Sequence, residues 1–223
     1  MDFVNREEIE RKLARVLSKD LRVELDKLLN YLGDPPNLAN VPAEYWQNGW
    51  KDIQADVEPV LMEAFLESAE EVMLRFEFGV DWDAVNTDAA NWARAHSESL
   101  LSDLFNRRYD IVNESVARYF EESWTISDLA ERLRKWYDPV RAEMIAITET
   151  TRAVVEGERA IIRNLERESG QAMIPIWMTA NDERVCPICS PRDNQVITDG
   201  IYPPAHQRCR CVVGYELPTK ERD

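Results

Sequence analysis

All four cysteines of this 223-residue chain, and one of its two histidines, fall in the stretch from Ile174 to Tyr215. Cys186 and Cys189 form a C-x-x-C pair whose backbone can curl so that both sulfurs face one ion. His206-x-x-Cys209-x-Cys211 supplies a second knuckle after an intervening loop. Two such pairs are what a closed tetrahedral zinc site needs. Five candidate ligands, Cys186, Cys189, His206, Cys209 and Cys211, compete for four places, and spacing does not choose which of the last three is left over. If the chain around Arg210 is extended, Cys209 and Cys211 point to one side and Arg210 to the other, so both sulfurs can reach the ion. The preferred set is Cys186, Cys189, His206 and Cys209, with Cys211 in reserve.

Three other chemistries compete for the same cysteines. Cys186-Pro187-Ile188-Cys189 resembles a redox dithiol, but that chemistry needs a helix opening at the first cysteine, and Pro191 with the polar run Ser190 to Gln195 offers none. Disulfides need an oxidising compartment. The charged start MDFVNREEIERK reads as no signal peptide, and no apolar run is long enough to cross a bilayer, so a reducing cytoplasm is expected. Buried free thiols account for isolated cysteines better than for four in one segment.

A hydrophobic content of 44% with only 7 glycines suits an α-rich protein. The formal net charge of -15 excludes a general DNA binder, because the average field repels phosphate. Between Asp182 and Cys211 the charges cancel, with Arg184, Arg192, Arg208 and Arg210 against Asp182, Glu183, Asp193 and Asp199, which leaves room for a weak local contact with DNA only. Between Lys51 and Glu98, twelve acidic residues stand against three basic ones, an arrangement suited to a solvated helix face or a basic partner surface.

Apolar periodicity predicts a helix from a cap at Asn5, with Glu8 three residues on and Ile9, Leu13, Leu17, Leu21, Leu25, Leu28 and Leu32 on one stripe, ending at Gly33. That stripe is narrow, so packing within the chain is expected first and docking on another protein second. Residues 34 to 50 read as a connector whose Tyr45, Trp46 and Trp50 anchor it, to its own domain first and to a partner second. A second helix is expected to open at Pro59 and close at Gly79. A long helix, with room for one break, follows from Asp88 to about Glu122. His96 lies on its apolar stripe and is read as a satisfied core-edge residue. Thr125 with Asp128 resembles a capping box, and Asp138-Pro139 opens a last helix that runs to about Arg167 and stops at Gly170. A strand at Met173 to Met178 then enters the cysteine module.

The run Arg141 to Thr150, Trp177, Thr179, Asp182 to Cys189 and Pro203-Pro204-Ala205-His206-Gln207-Arg208-Cys209-Arg210-Cys211 together resemble the phage Mu F-like head morphogenesis proteins, also called minor capsid or minor head proteins. The resemblance covers roughly residues 85 to 217. Two positions depart from the family pattern: Ile147 stands where an arginine is usual before the Thr-Glu pair, and Gln207 where a proline usually follows the histidine. A polar network pairing Glu149 with Arg184 would tie the last helix to the module; the alternative is a solvated Glu149 paired with Arg152 or with nothing.

The expected fold is mainly α, a multi-helix body with a small C-terminal zinc-knuckle β module. Its segments are an N-terminal acidic helical region (1–80), the helical part of the Mu F-like domain (81–170), the Cys/His module (171–217) and a tail (218–223). The resemblance implies a virion component inside the head, present in the host cytoplasm during assembly and associated with the portal protein. The major capsid or scaffolding protein and weakly held phage DNA are further partners, with no membrane. No catalytic residue is assigned. An HNH-type nuclease would need a free general-base histidine beside an open metal, an ADP-ribosyltransferase would need a glutamate-rich signature and extra length, and a zinc-dependent DNA-binding module would rely on Arg192, Arg208 and Arg210.

Overall fold

The computed structural model describes residues 5–76, 79–179 and 185–218. Among the described residues, six α-helices precede a three-stranded antiparallel sheet: α1 (Arg6–Leu32), α2 (Ala43–Asn48), α3 (Trp50–Phe76), α4 (Trp82–Glu121), α5 (Ile126–Arg134), α6 (Pro139–Ser169), then β1 (Ile174–Met178), β2 (Gln195–Val196) and β3 (Val212–Glu216). The sheet order is β2-β1-β3, with Ile176 opposite both Val196 and Gly214. The chain is therefore mainly α, with a small C-terminal β module.

The narrow leucine stripe of α1 is fully used inside the chain. Ile9, Leu13, Leu17, Leu21, Leu28 and Leu32 are buried to within about 1% of their surface, against α3 and α6. Helix α3 packs on α1, α4 and α6, and one hydrophobic core joins Leu17 and Leu61 to Leu101, Leu129 and Val154. Burial of a leucine of this kind contributes roughly 1.5–3 kcal/mol, so the stripe accounts for the docking of α1 without an external partner.

Several local signals act as expected. Gly33 ends α1 with φ 73°, and Gly170 ends α6 in the left-handed region with φ 67°. Thr125 and Asp128 form the reciprocal capping box of α5, and Asp138 caps α6 through the Val140 amide with Pro139 in the first turn. The connector aromatics anchor it to its own chain: Tyr45 is buried and its hydroxyl donates to the Glu24 carbonyl (3.1 Å), while Trp46 meets Tyr109 edge-on.

Others differ. Asn5 makes no side-chain cap; its amide donates instead to Glu67 of α3 (3.1 Å). Pro59 does not start a helix but sits inside α3, which begins at Trp50. Pro59 and Ala55 both face solvent, so the carbonyl that the proline leaves unbonded is open to water, while Ile53, Val57 and Val60 continue the buried stripe past it. Helix α4 begins at Trp82 rather than Asp88, because Asp81 accepts from the amides of Asp83 and Ala84, and it continues without a break. At 1.5 Å per residue its 40 residues span about 60 Å.

The β module sits against α6. Val155 joins Trp177, Ile197 and Val213 in the module's own core, and Arg159 stacks on Tyr202 at 4.2 Å. On the other face of α6, Gly157 lets α3 approach: an added Cβ there would lie 2.2 Å from the Phe65 carbonyl oxygen, and the Ser68 hydroxyl already donates to the Val154 carbonyl at 2.6 Å. Because the obstructing atom is backbone, Gly157→Ala forces the helices apart. The expected cost is about 3 kcal/mol, read as a lower midpoint in urea denaturation.

Glu158, beside Gly157, is buried with Oε2 finding no hydrogen-bond partner among the described residues. Burial, only partly offset by Arg75 and the Val213 amide, raises its pKa from 4.5 to about 8. Between those values the native chain keeps a proton that the unfolded chain has lost, so stability falls as pH rises through that window. Glu158→Gln removes the titration. Denaturation midpoints measured at pH 5 and pH 8 should decline less in this variant than in the wild type, with the difference largest at pH 8.

Candidate metal centre

Two tight turns assemble the cluster. At the first, the Cys186 carbonyl accepts from the amides of Cys189 (3.1 Å) and Ser190 (2.9 Å), which folds the C-x-x-C segment back on itself. At the second, the Cys209 amide donates to the His206 carbonyl at 3.3 Å, with Arg208 in the left-handed region at φ 60°. The side chains that result form two groups sharing Cys189: Cys186, Cys189 and His206 in one, and Cys189, Cys209 and Cys211 in the other, each with its ligand atoms within 4.8 Å of one another.

His206 Nε2 lies 2.9 Å from Cys186 Sγ and 3.1 Å from Cys189 Sγ, and Cys189 Sγ lies 3.8 Å from Cys209 Sγ. Zinc–sulfur and zinc–nitrogen bonds of tetrahedral geometry hold two sulfurs about 3.8 Å apart and a sulfur and a nitrogen about 3.5 Å apart. The sulfur pair already has that separation, and an ion would spread the imidazole from the thiols by about half an ångström. The imidazole is also correctly prepared: Nδ1 is 2.7 Å from the Gln207 carbonyl and donates to it, which leaves the Nε2 lone pair facing the thiols. Soft sulfur donors with one imidazole, three of the four thiols buried, make a donor set suited to a structural metal ion.

The sulfur electrostatics are uneven. Donation from Cys211 brings Cys209 down to about 5 against the penalty of burial. Burial, with the neighbouring Cys209 charge, pushes Cys189 up to about 12, and Cys211 rises because its proton is held by Cys209 and because it is buried. Burial works against a thiolate at Cys186, yet the Cys189 amide holds it below the usual thiol range. For His206, burial opposes a proton while the Gln207 carbonyl and the thiols behind it favour one.

The alternation expected around Arg210 is present. Cys209 and Cys211 face the cluster, and Arg210 turns outward to place a two-pronged contact on Glu10 of α1, Nη2 to Oε2 at 2.6 Å and Nε to Oε1 at 3.2 Å. The backbone of this segment is held at three consecutive residues. The Arg208 amide donates to the Thr148 hydroxyl (2.9 Å), the Cys209 carbonyl accepts from the Thr151 hydroxyl (2.5 Å), and the Arg210 carbonyl accepts from Arg6 (3.0 Å). Arg6 is almost wholly buried and also donates to Glu10 (3.2 Å) and Thr151. Sequence reasoning missed Arg6, Glu10, Thr148 and Thr151 as neighbours of the cluster. The one local signal was the i, i+3 spacing of the two threonines, which puts both on one face of α6.

Arg184 lies outside the described residues, so its expected pairing with Glu149 is not among the contacts described. Glu149 is buried rather than solvated. Its Oε2 lies 2.6 Å from His96 Nε2 and 3.2 Å from Arg152 Nε, and His96 stacks on Trp92 at 4.9 Å, so His96 ties α4 to α6 as a satisfied residue at the core edge. The module's other arginines meet carboxylates: Arg192 meets Asp199 at 2.9 Å and Arg208 meets Glu143 at 3.8 Å.

Among the described residues no helix is long and apolar enough to cross a membrane. No curated protein and no solved structure matches the chain. Residues 110–214, from the second half of α4 through the cysteine cluster to β3, match the family model described as Phage Mu protein F like protein.

Proposed function

We propose that this protein is a phage minor head protein acting in head morphogenesis, associated with the portal protein, with one structural zinc ion and no catalytic centre. The observation that carries the reading is the family match over residues 110–214, whose C-terminal part contains the whole thiol–imidazole cluster. Cys186, Cys189, His206 and Cys209 would hold the ion. Cys211, which groups with Cys189 and Cys209 but not with Cys186 and His206, would stay in reserve. Bound there, the ion would supply cross-linking of two loops and folding free energy, as is usual for modules of this size.

The contacts of the histidines and arginines support this reading over the enzymatic and DNA-binding ones. His206 has both ring nitrogens engaged, and His96 is committed to Glu149, so neither is placed as a general base beside an open metal position. Arg192, Arg208 and Arg210, the expected phosphate contacts, each face a carboxylate of the same chain. The acidic body, its solvated α3 face included, suits a basic protein surface in the head, with the capsid interior and the host cytoplasm during assembly as its locations.

Two measurements test this. Metal analysis of the purified protein should give one zinc per chain, lost in Cys189→Ser and Cys209→Ser and retained in Cys211→Ala; a wild type without metal overturns the zinc reading. Co-expression with the portal protein should give a stable complex, while DNA binding should be negligible at physiological salt. Steep, salt-sensitive DNA binding or metal-stimulated cleavage lost in His206→Ala would replace the assembly reading.

A further inference from the structure

The contacts that hold the ligand-bearing segment come from outside the module, and two of the residues making them, Arg6 and Glu10, lie outside the family-matched residues 110–214. We propose that Arg6, Glu10, Thr148 and Thr151 are positioning residues of the metal centre, so that ion retention and docking of the first turns of α1 form one linked equilibrium. The proposal rests on the metal reading above and names what holds its ligands in place.

The residues between His206 and Cys211 belong to no helix or strand, and Arg208 adopts a left-handed conformation. Left to itself, such a segment would not keep Cys209 at a fixed distance from Cys189. Three side-chain contacts on three successive backbone groups remove that freedom: Thr148 on the Arg208 amide, Thr151 on the Cys209 carbonyl and Arg6 on the Arg210 carbonyl. Arg6 also contacts the Thr151 hydroxyl that holds Cys209, so α1 and α6 act on the segment as a unit. Glu10 completes it by receiving both Arg6 and Arg210 on one buried carboxylate. Groups of this kind, which orient ligands without touching the metal, typically set affinity by a factor of roughly 10–100. Linkage is reciprocal, so the ion must favour docked α1 by the same factor that docked α1 favours the ion.

The test uses the full-length protein loaded with Zn2+ and a chromogenic chelator. Arg6→Met and Thr151→Val should release zinc about 10- to 100-fold faster than wild type, with helical content confirmed by circular dichroism. Val85→Ala, which opens a separate core cluster that contains no residue of α1 or of the segment, should release at the wild-type rate. With Co2+ in place of zinc, the ligand-field and thiolate charge-transfer bands should change shape in the first two variants and not in Val85→Ala. Zinc should also slow amide exchange over residues 6–13 in the wild type, and do so less in Thr151→Val. A wild type that takes up neither ion overturns the metal reading itself. A wild type that holds zinc while Thr151→Val releases it at the same rate with an unchanged cobalt spectrum overturns this inference alone, and Thr151→Val decides the matter if Arg6→Met fails to fold.

Discussion

The contact of Arg6 and Arg210 on the buried carboxylate of Glu10 ties the C-terminal module to α1. A three-stranded sheet whose second strand has two residues cannot hold its own shape in water. Its apolar core is small, and three of that core's residues are the cysteines Cys189, Cys209 and Cys211. The module therefore depends on being held from outside, by Val155 and Arg159 of α6 on one side and by the polar contact to α1 on the other.

That polar contact is not a simple source of stability. Glu10 and Arg6 are taken almost wholly out of water, and for buried ion pairs the desolvation penalty often equals the attraction gained. The balance here is helped by geometry: the single carboxylate receives one guanidinium as a fork and a second through Nε, so its oxygens are well satisfied. The two terminal nitrogens of Arg6 each find an acceptor, one a carbonyl and the other a hydroxyl. Removing Glu10 would leave the buried Arg6 charge without its carboxylate, and removing Arg6 would leave the Arg210 carbonyl without its donor, each costing more than the assembled set contributes.

What the sequence made legible was local. Gly33 and Gly170 as helix ends, Thr125 with Asp128, and Asp138-Pro139 are decided by residues within one turn of each other, and each acts as its spacing says. The cysteine cluster was legible for the same reason, since each knuckle is closed by backbone hydrogen bonds over three or four residues. Pro59 was misread because a proline on a solvent-facing side of a helix looks the same in sequence as one at a helix start. The tie from Arg6 to the Arg210 carbonyl, separated by 204 positions, left no trace in any spacing. Nor did the pairing of His96 with Glu149, which requires two helices to be already packed.

Why the clasp should be polar follows from what an extended segment needs specified. Along Cys209-Arg210-Cys211 the side chains alternate, so a slip of one residue would turn both sulfurs away from Cys189 and bring a guanidinium in their place. Apolar packing is nearly indifferent to such a slip, because it responds to buried area and not to direction. Hydrogen bonds to three named backbone groups, together with a fork that only Arg210 can supply to Glu10, have no equivalent in the slipped register. The cost of burying charge beside the cluster therefore secures which atoms face the ion, something the two tight turns alone do not settle, because each closes only its own loop.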